Sequence, residues 1–149
     1  MTMVTASIEI DAPRERVYDL ALDPSRLDEW VTIHRRVNAR DAGPPREGFE
    51  MDQTLHLRGV HFKVRWKLEE VRAPRYARWV GIGPARSTAT TEYRLSEHDG
   101  HTRFDYCNEF RTPFGPLGAA ASKVIVGGIP EKEANASLRR LKEILENRR

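Results

Sequence analysis

The chain has 149 residues, one domain's worth of sequence and enough to enclose a core. Its 25 Lys and Arg stand against 22 Asp and Glu, a net charge of only +3, and the pairs Arg35-Arg36, Arg139-Arg140 and Arg148-Arg149 have acids nearby, so no nucleic-acid partner is expected. Cys107 stands alone, which excludes an intrachain disulfide; no segment is apolar for the ~20 residues of a membrane span, and the start has no basic-then-apolar leader, so a soluble protein of the reducing cytoplasm is expected.

The first strand is read from Val4, Ala6, Ile8 and Ile10 alternating with Thr5, Ser7 and Glu9. A helix follows, with Asp11 placed to cap it, Pro13 at an early helical position, and Val17, Leu20 and Ala21 as its buried stripe. Asp23-Pro24-Ser25 ends that helix and opens a short second one through Leu27 to Trp30, after which Val31, Ile33 and Val37 predict strand two. Gly43-Pro44-Pro45 is a loop. Strand three, over 49–57, places Met51, Gln53, Leu55 and Leu57 on one face, and Arg58-Gly59 is a tight connection into strand four.

Strand four carries the strongest pattern in the chain. Side chains on a strand alternate faces, so Val60, Phe62, Val64, Trp66 and Leu68 share an inner surface while His61, Lys63, Arg65 and Lys67 meet water. Residues 76–81, 85–95 and 102–110 supply three more strands, the last two joined through His98-Asp99-Gly100. From Pro116 the period becomes helical, through Leu117, Ala120, Ala121 and Val124 and then Ala134, Leu138, Leu141 and Leu145, with a kink or break expected at Gly127-Gly128-Ile129-Pro130. The predicted class is α+β: a curved seven-stranded antiparallel sheet around a long C-terminal helix, with two short helices between strands one and two.

Seven strands at about 4.8 Å spacing make a sheet roughly 34 Å wide, whereas a helix is about 10–12 Å across. The sheet must curl, and the helix opposite its aromatics is rich in Gly, Ala and Ser. Unless the sheet collapses onto these small residues and the aromatics pack as an ordinary core, volume stays unfilled, and the simpler expectation is a pocket lined by Trp30, Gln53, Leu55, Phe62, Val64, Trp66, Tyr93, Tyr106, Asn108, Phe110, Leu117, Ala121 and Val124. The expected occupant is flat and largely apolar, with one or two oxygens oriented by Asn108 or Tyr106.

No Gly-rich phosphate loop, nucleophile elbow or metal-ligand string is present, and no cofactor or metal is expected. The histidines at 34, 56, 61, 98 and 101 are dispersed; His56 and His61 oppose each other on the outer face of the hairpin, but zinc needs three or four ligands. Gln53 and Asn108 face inward and are neither acids nor bases near neutral pH. Catalysis would fall to Tyr93 or Tyr106, or to a carboxylate such as Asp105 or Glu109 if it faces the cavity.

Four segments resemble one family: Ile8-Glu-Ile-Asp-Ala-Pro13, Asp23-Pro-Ser-Arg26 with Trp30, Gly100-His-Thr-Arg-Phe104, and Pro113-Phe-Gly-Pro-Leu-Gly118. In order and spacing they resemble the SRPBCC superfamily, whose helix-grip fold is shared by START lipid-transfer domains, the major birch-pollen allergen and polyketide cyclases. Glu29-Trp-Val-Thr-Ile-His-Arg35 is similar to an actinobacterial subgroup named as the toxin half of type II toxin–antitoxin pairs. The resemblance implies binding of a hydrophobic, lipid- or polyketide-like molecule between helix and sheet, sometimes with cyclase or hydrolase chemistry, and the lack of an acid/base pair favours a noncatalytic binder. It also implies two alternatives, a polyketide cyclase or dehydratase, and a toxin whose partner is a small antitoxin protein.

Overall fold

Alternation makes the strands and short turns set their pairing. The structure, a computed structural model, describes residues 2–57, 59–111 and 129–147. β1 (Thr2–Ile10) leads into α1 (Arg14–Leu22), a 3-10 turn at Pro24–Arg26 and the single-turn α2 (Leu27–Trp30). There follow β2 (His34–Ala39), β3 (Glu50–Leu57), β4 (Val60–Arg72), β5 (Tyr76–Ile82), β6 (Thr88–His98), β7 (His101–Arg111) and α3 (Ile129–Asn147). The seven strands form one antiparallel sheet in the order β1-β7-β6-β5-β4-β3-β2, curved and open, so the fold is the predicted α+β arrangement.

Turn chemistry accounts for two of the connections. His98 pairs with His101, and the Asp99 and Gly100 between them have φ of 52° and 81°, the left-handed values a type I′ hairpin turn demands at both central positions. Leu57 pairs with Val60, and Gly59 takes φ 77° in the intervening turn. Elsewhere the ladder slips by one residue, between Leu68 and Glu70 on β4 and between His34 and Arg36 on β2. Such bulges raise local twist and bend a sheet.

The core lies between the inner sheet face and the helices. Leu68, Phe104, Val17, Leu138 and Leu141 are fully buried, and each aliphatic of this size contributes about 1.5–3 kcal/mol by burial. Lys63, Arg65 and Lys67 are exposed, while Val64, Trp66 and Leu68 between them are buried, as the alternation requires. α3 lies against β1, with Lys142 Nζ donating to the Glu9 carbonyl at 2.8 Å and Glu146 accepting from the Asp11 amide at 2.8 Å.

Three local expectations are corrected. Asp11 does not cap α1: its carboxylate stands 3.4 Å from His101 Nδ1, and the first helical amide, of Arg14, donates instead to Glu97 Oε1 of β6 at 2.7 Å. Strand two begins at His34 rather than Val31, because Val31–Ile33 turns back, with the His34 amide on the Val31 carbonyl. Strand six begins at Thr88 rather than Ala85. Pro84–Arg86 is a 3-10 turn in which Ala85 and Arg86 both have positive φ, 54° and 60°. The expected helix over 117–124 and Gly127-Gly128 of the expected break lie outside the described residues, while Ile129 and Pro130 open α3.

Candidate ligand-binding cavity

The curl of the sheet leaves a cavity of about 140 Å³ between its inner face and the helices. Its floor is β3, β4, β6 and β7, its roof α2, the loop after it and α3. Trp30, Gln53, Leu55, Phe62, Val64, Trp66, Tyr93, Tyr106, Asn108 and Phe110 all line it. Leu117, Ala121 and Val124, also expected there, lie outside the described residues. Tyr93 is the aromatic hub: Trp30 meets it edge-on at 6.2 Å between centroids, Phe104 at 5.2 Å and Tyr106 at 6.2 Å. Gly81 leaves room for two wall residues, since a Cβ there would sit 2.6 Å from Val64 Cγ1 and 2.7 Å from Trp66 Cε3.

Two polar clusters interrupt the apolar wall. In the first, Trp66 Nε1 donates to Gln53 Oε1 at 2.9 Å, and Gln53 Nε2 contacts His34 Nδ1 at 2.9 Å. An indole can only donate, so the Gln53 oxygen must face Trp66 and its NH₂ must face His34; Nδ1 is therefore the acceptor and the ring proton sits on Nε2. Burial holds the His34 pKa below the ordinary imidazole value, with partial opposition from Asp28. In the second cluster Asn108 Nδ2 donates to the Tyr106 hydroxyl at 2.9 Å. Here two atoms are left over, Asn108 Oδ1 and Trp30 Nε1, both closed to water and without a partner.

The candidate acids and bases sort by face. Burial pushes the Tyr106 phenol up to about 12 and Tyr93 higher still, so both stay protonated at neutral pH and neither is a base there. Asp105 and Glu109 lie on the outer face, paired with Arg103 and Arg111. Cys107, between Tyr106 and Asn108 in sequence, is half-buried, and burial together with Glu92 and Glu109 keeps its thiol protonated. His56 and His61 stack on each other, 4.4 Å between centroids; among the described residues no three His, Cys, Asp or Glu side chains group as metal ligands.

The sequence reading missed the helical side of the wall. Glu133 and Ser137 of α3 line the cavity beside Ala134 and Leu138, and Ser87 and Thr91 add hydroxyls from the sheet side. Glu133 accepts a short hydrogen bond from Thr32 Oγ1, and the Thr32 amide donates to Ser137 Oγ at 3.1 Å, stitching the loop after α2 to α3. The signal was available: Glu133 and Ser137 are four apart and flank the Ala134–Leu138 stripe.

A family model described as polyketide cyclase / dehydrase and lipid transport matches residues 1–146. The chain belongs to this family. Among curated proteins it is similar to one from Mycobacterium tuberculosis named "Toxin Rv0910", 21% identical over 137 residues that cover 91% of this chain and 95% of that one. Among solved structures it is similar to TTHA0849 from Thermus thermophilus, with TM-score 0.76, 15% identity and 98% of each chain covered. Ms6760 from Mycobacterium smegmatis superposes with TM-score 0.70 at 20% identity, over 99% of this chain and 92% of that one. These likenesses establish the helix-grip fold. No helix among the described residues of this family member is long and apolar enough to cross a membrane.

Proposed function

We propose that this family member is a binding protein for a small, largely apolar molecule of about one aromatic ring, held between the inner sheet face and α3. The observation that supports it is the cavity itself, walled by Trp30, Phe62, Trp66, Tyr93, Tyr106 and Phe110. Ligand pockets commonly enclose ~300–1,000 Å³, whereas a dry apolar cavity of about 150 Å³ takes up benzene; a volume of about 140 Å³ favours a single ring over a long acyl chain. Neutral phenols and a Glu133 carboxylate already engaged by Thr32 favour binding over acid–base chemistry. Titration with benzene-sized ligands should change Trp66 fluorescence, and Ala134→Phe, which fills the cavity from α3, should abolish the response. If no such ligand perturbs Trp66, or the filled variant responds as the wild type does, the aromatics are an ordinary core.

The similarity to Toxin Rv0910, which runs along nearly the whole chain, supports a second reading, a growth-inhibiting protein neutralised by a small antitoxin. Induced expression in a related bacterium should then arrest growth, and co-expression of the adjacent gene should restore it. Unimpaired growth at high soluble expression removes that reading.

A further inference from the structure

Hydrogen-bonded ladders close every boundary between neighbouring strands, but they do not join the two ends of the sheet. Among the described residues β1 and β2 are the outermost strands and do not pair with each other. Helices and a loop span the gap between them, and each lip of the gap belongs to one end. α3 belongs to the β1 end, where Lys142 Nζ reaches the Glu9 carbonyl at 2.8 Å. The loop after α2 belongs to the other end, since the Ile33 carbonyl accepts from the His56 amide of β3 at 2.8 Å and the chain then enters β2. Val31 and Ile33 of that loop line the cavity, as do Glu133, Ala134 and Ser137 of α3, so parting the two lips opens the cavity wall.

Three hydrogen bonds cross this seam at one residue, Thr32. Its hydroxyl donates to Glu133 Oε2, its amide donates to Ser137 Oγ at 3.1 Å, and its Oγ1 lies 3.3 Å from Ser137 Oγ. A threonine hydroxyl has one proton and Glu133 takes it, so in the last contact Ser137 O–H is the donor. Thr32 thus gives two protons across the seam and receives one. Opening the wall between two strands breaks a run of main-chain bonds at once, whereas these three bonds each depend on a side chain, and local opening follows the least protected boundary. Thr32 itself does not line the cavity. It therefore acts on passage and not on the fit of an occupant.

We propose that Thr32 is a clasp on the cavity, whose release parts α3 from the loop after α2 and sets how fast molecules enter and leave. The proposal rests on the binding reading above and adds to it a route and its control. Weakening the clasp leaves the closed state as it was, so entry and exit quicken together while affinity holds. A reporter stands beside the clasp. Trp30, two residues before Thr32, is 2% exposed, and its indole N–H is closed to water and without a partner among the described residues. Short of global unfolding, it exchanges with deuterium when the roof lifts. Trp66, held by Gln53 on the sheet side, is the control.

The first test needs no ligand. Thr32→Val loses the hydroxyl and with it two of the three bonds, so exchange of the Trp30 indole N–H should quicken about tenfold, followed by NMR and assigned by its absence in Trp30→Phe. Exchange at Trp66 should hold, and Thr32→Ser, which keeps a hydroxyl, should match the wild type. Should Thr32→Val fold poorly, Ser137→Ala removes the acceptor of the Thr32 amide and should act in the same direction. Equal Trp30 exchange in wild type and variants, or equal quickening at Trp30 and Trp66, overturns the clasp. The second test uses benzene, with Trp66 fluorescence followed by stopped flow. Thr32→Val should raise its entry and exit rates together, about tenfold each, with the dissociation constant within about twofold. A changed dissociation constant at unchanged rates overturns the role in passage. Binding of benzene to neither protein overturns the binding reading, and Trp30 exchange still decides the clasp.

Discussion

The cavity's two polar clusters differ in how they are finished. Around Gln53, the amide meets a donor at one end and an acceptor at the other, and three strands, β2, β3 and β4, are tied by it. Around Asn108, the amide meets Tyr106 at one end and nothing at the other, and Trp30 nearby is equally unpaired. Both clusters sit in the same apolar wall, so desolvation does not distinguish them. One is complete and so holds the fold; the other is incomplete and so costs the fold something.

The harshest way to break the complete cluster is through its neighbour Gly81. In Gly81→Ala the added methyl would stand under 3 Å from Val64 Cγ1 and two ring atoms of Trp66, lifting the indole off Gln53; a loss of about 3 kcal/mol is expected by urea denaturation. Next is the direct comparison. Gln53→Leu strands both Trp66 Nε1–H and His34 Nδ1 and should cost about 2 kcal/mol, whereas Asn108→Leu gives up one hydrogen bond, to Tyr106, but also removes an oxygen that lacks a partner, and should cost under about 1 kcal/mol. Equal losses in the two variants would mean that the clusters do not differ as described.

The phenols sharpen the picture at high pH. Tyr18, Tyr76 and Tyr106 are pushed up to about 12 and Tyr93 further, largest cause burial in each case, so the native protein should show no tyrosinate absorbance at pH 10. Unfolded tyrosines ionise near pH 10. The native state then holds more protons, so stability is intact below pH 10 and declines as pH climbs toward 12. A tyrosinate signal at pH 10 without unfolding would contradict the burial of these rings. The smallest effect concerns His34, whose pKa is lowered. Its neutral form is favoured in the fold, so its contribution is intact above about pH 6.5 and fades as pH falls below that. His34→Gln should flatten the difference in urea midpoint between pH 7.5 and pH 5; an unchanged difference would assign that slope to other groups.

How much of this was legible depended on period. The alternation in Val60–Leu68 fixed which residues of β4 face the cavity, because a period of two admits no intermediate facing, and the same rule placed Gln53 and Asn108 inward. The Asp99-Gly100 turn was legible from its dipeptide. The turn at Pro84–Arg86 was not, since Ala85 and Arg86 hold left-handed backbone that neither residue favours; hydrogen bonds from Gly83 and Ser87 stabilise it, and these exist only once the chain is folded. Glu97 capping α1 from 83 residues away was equally invisible, being a tertiary substitute for the local cap expected of Asp11. Within the site, strand residues were found and Glu133 and Ser137 were not. A helical stripe is read by its leucines, and polar residues at its margin look like surface until the opposing wall is known.

The bulge in β2 bears on how the molecule behaves in a crowd. Among the described residues β2 ends the sheet, paired with β3 alone, and an open strand of this kind invites another copy to add itself by backbone hydrogen bonds. The slip between His34 and Arg36 spoils the even spacing that such an addition needs, and Arg35 and Arg36 stand exposed at the same place, so an arriving strand would meet its own like charges. Exposed arginines at a slipped register thus oppose the growth of the sheet from its β2 edge into a polymer.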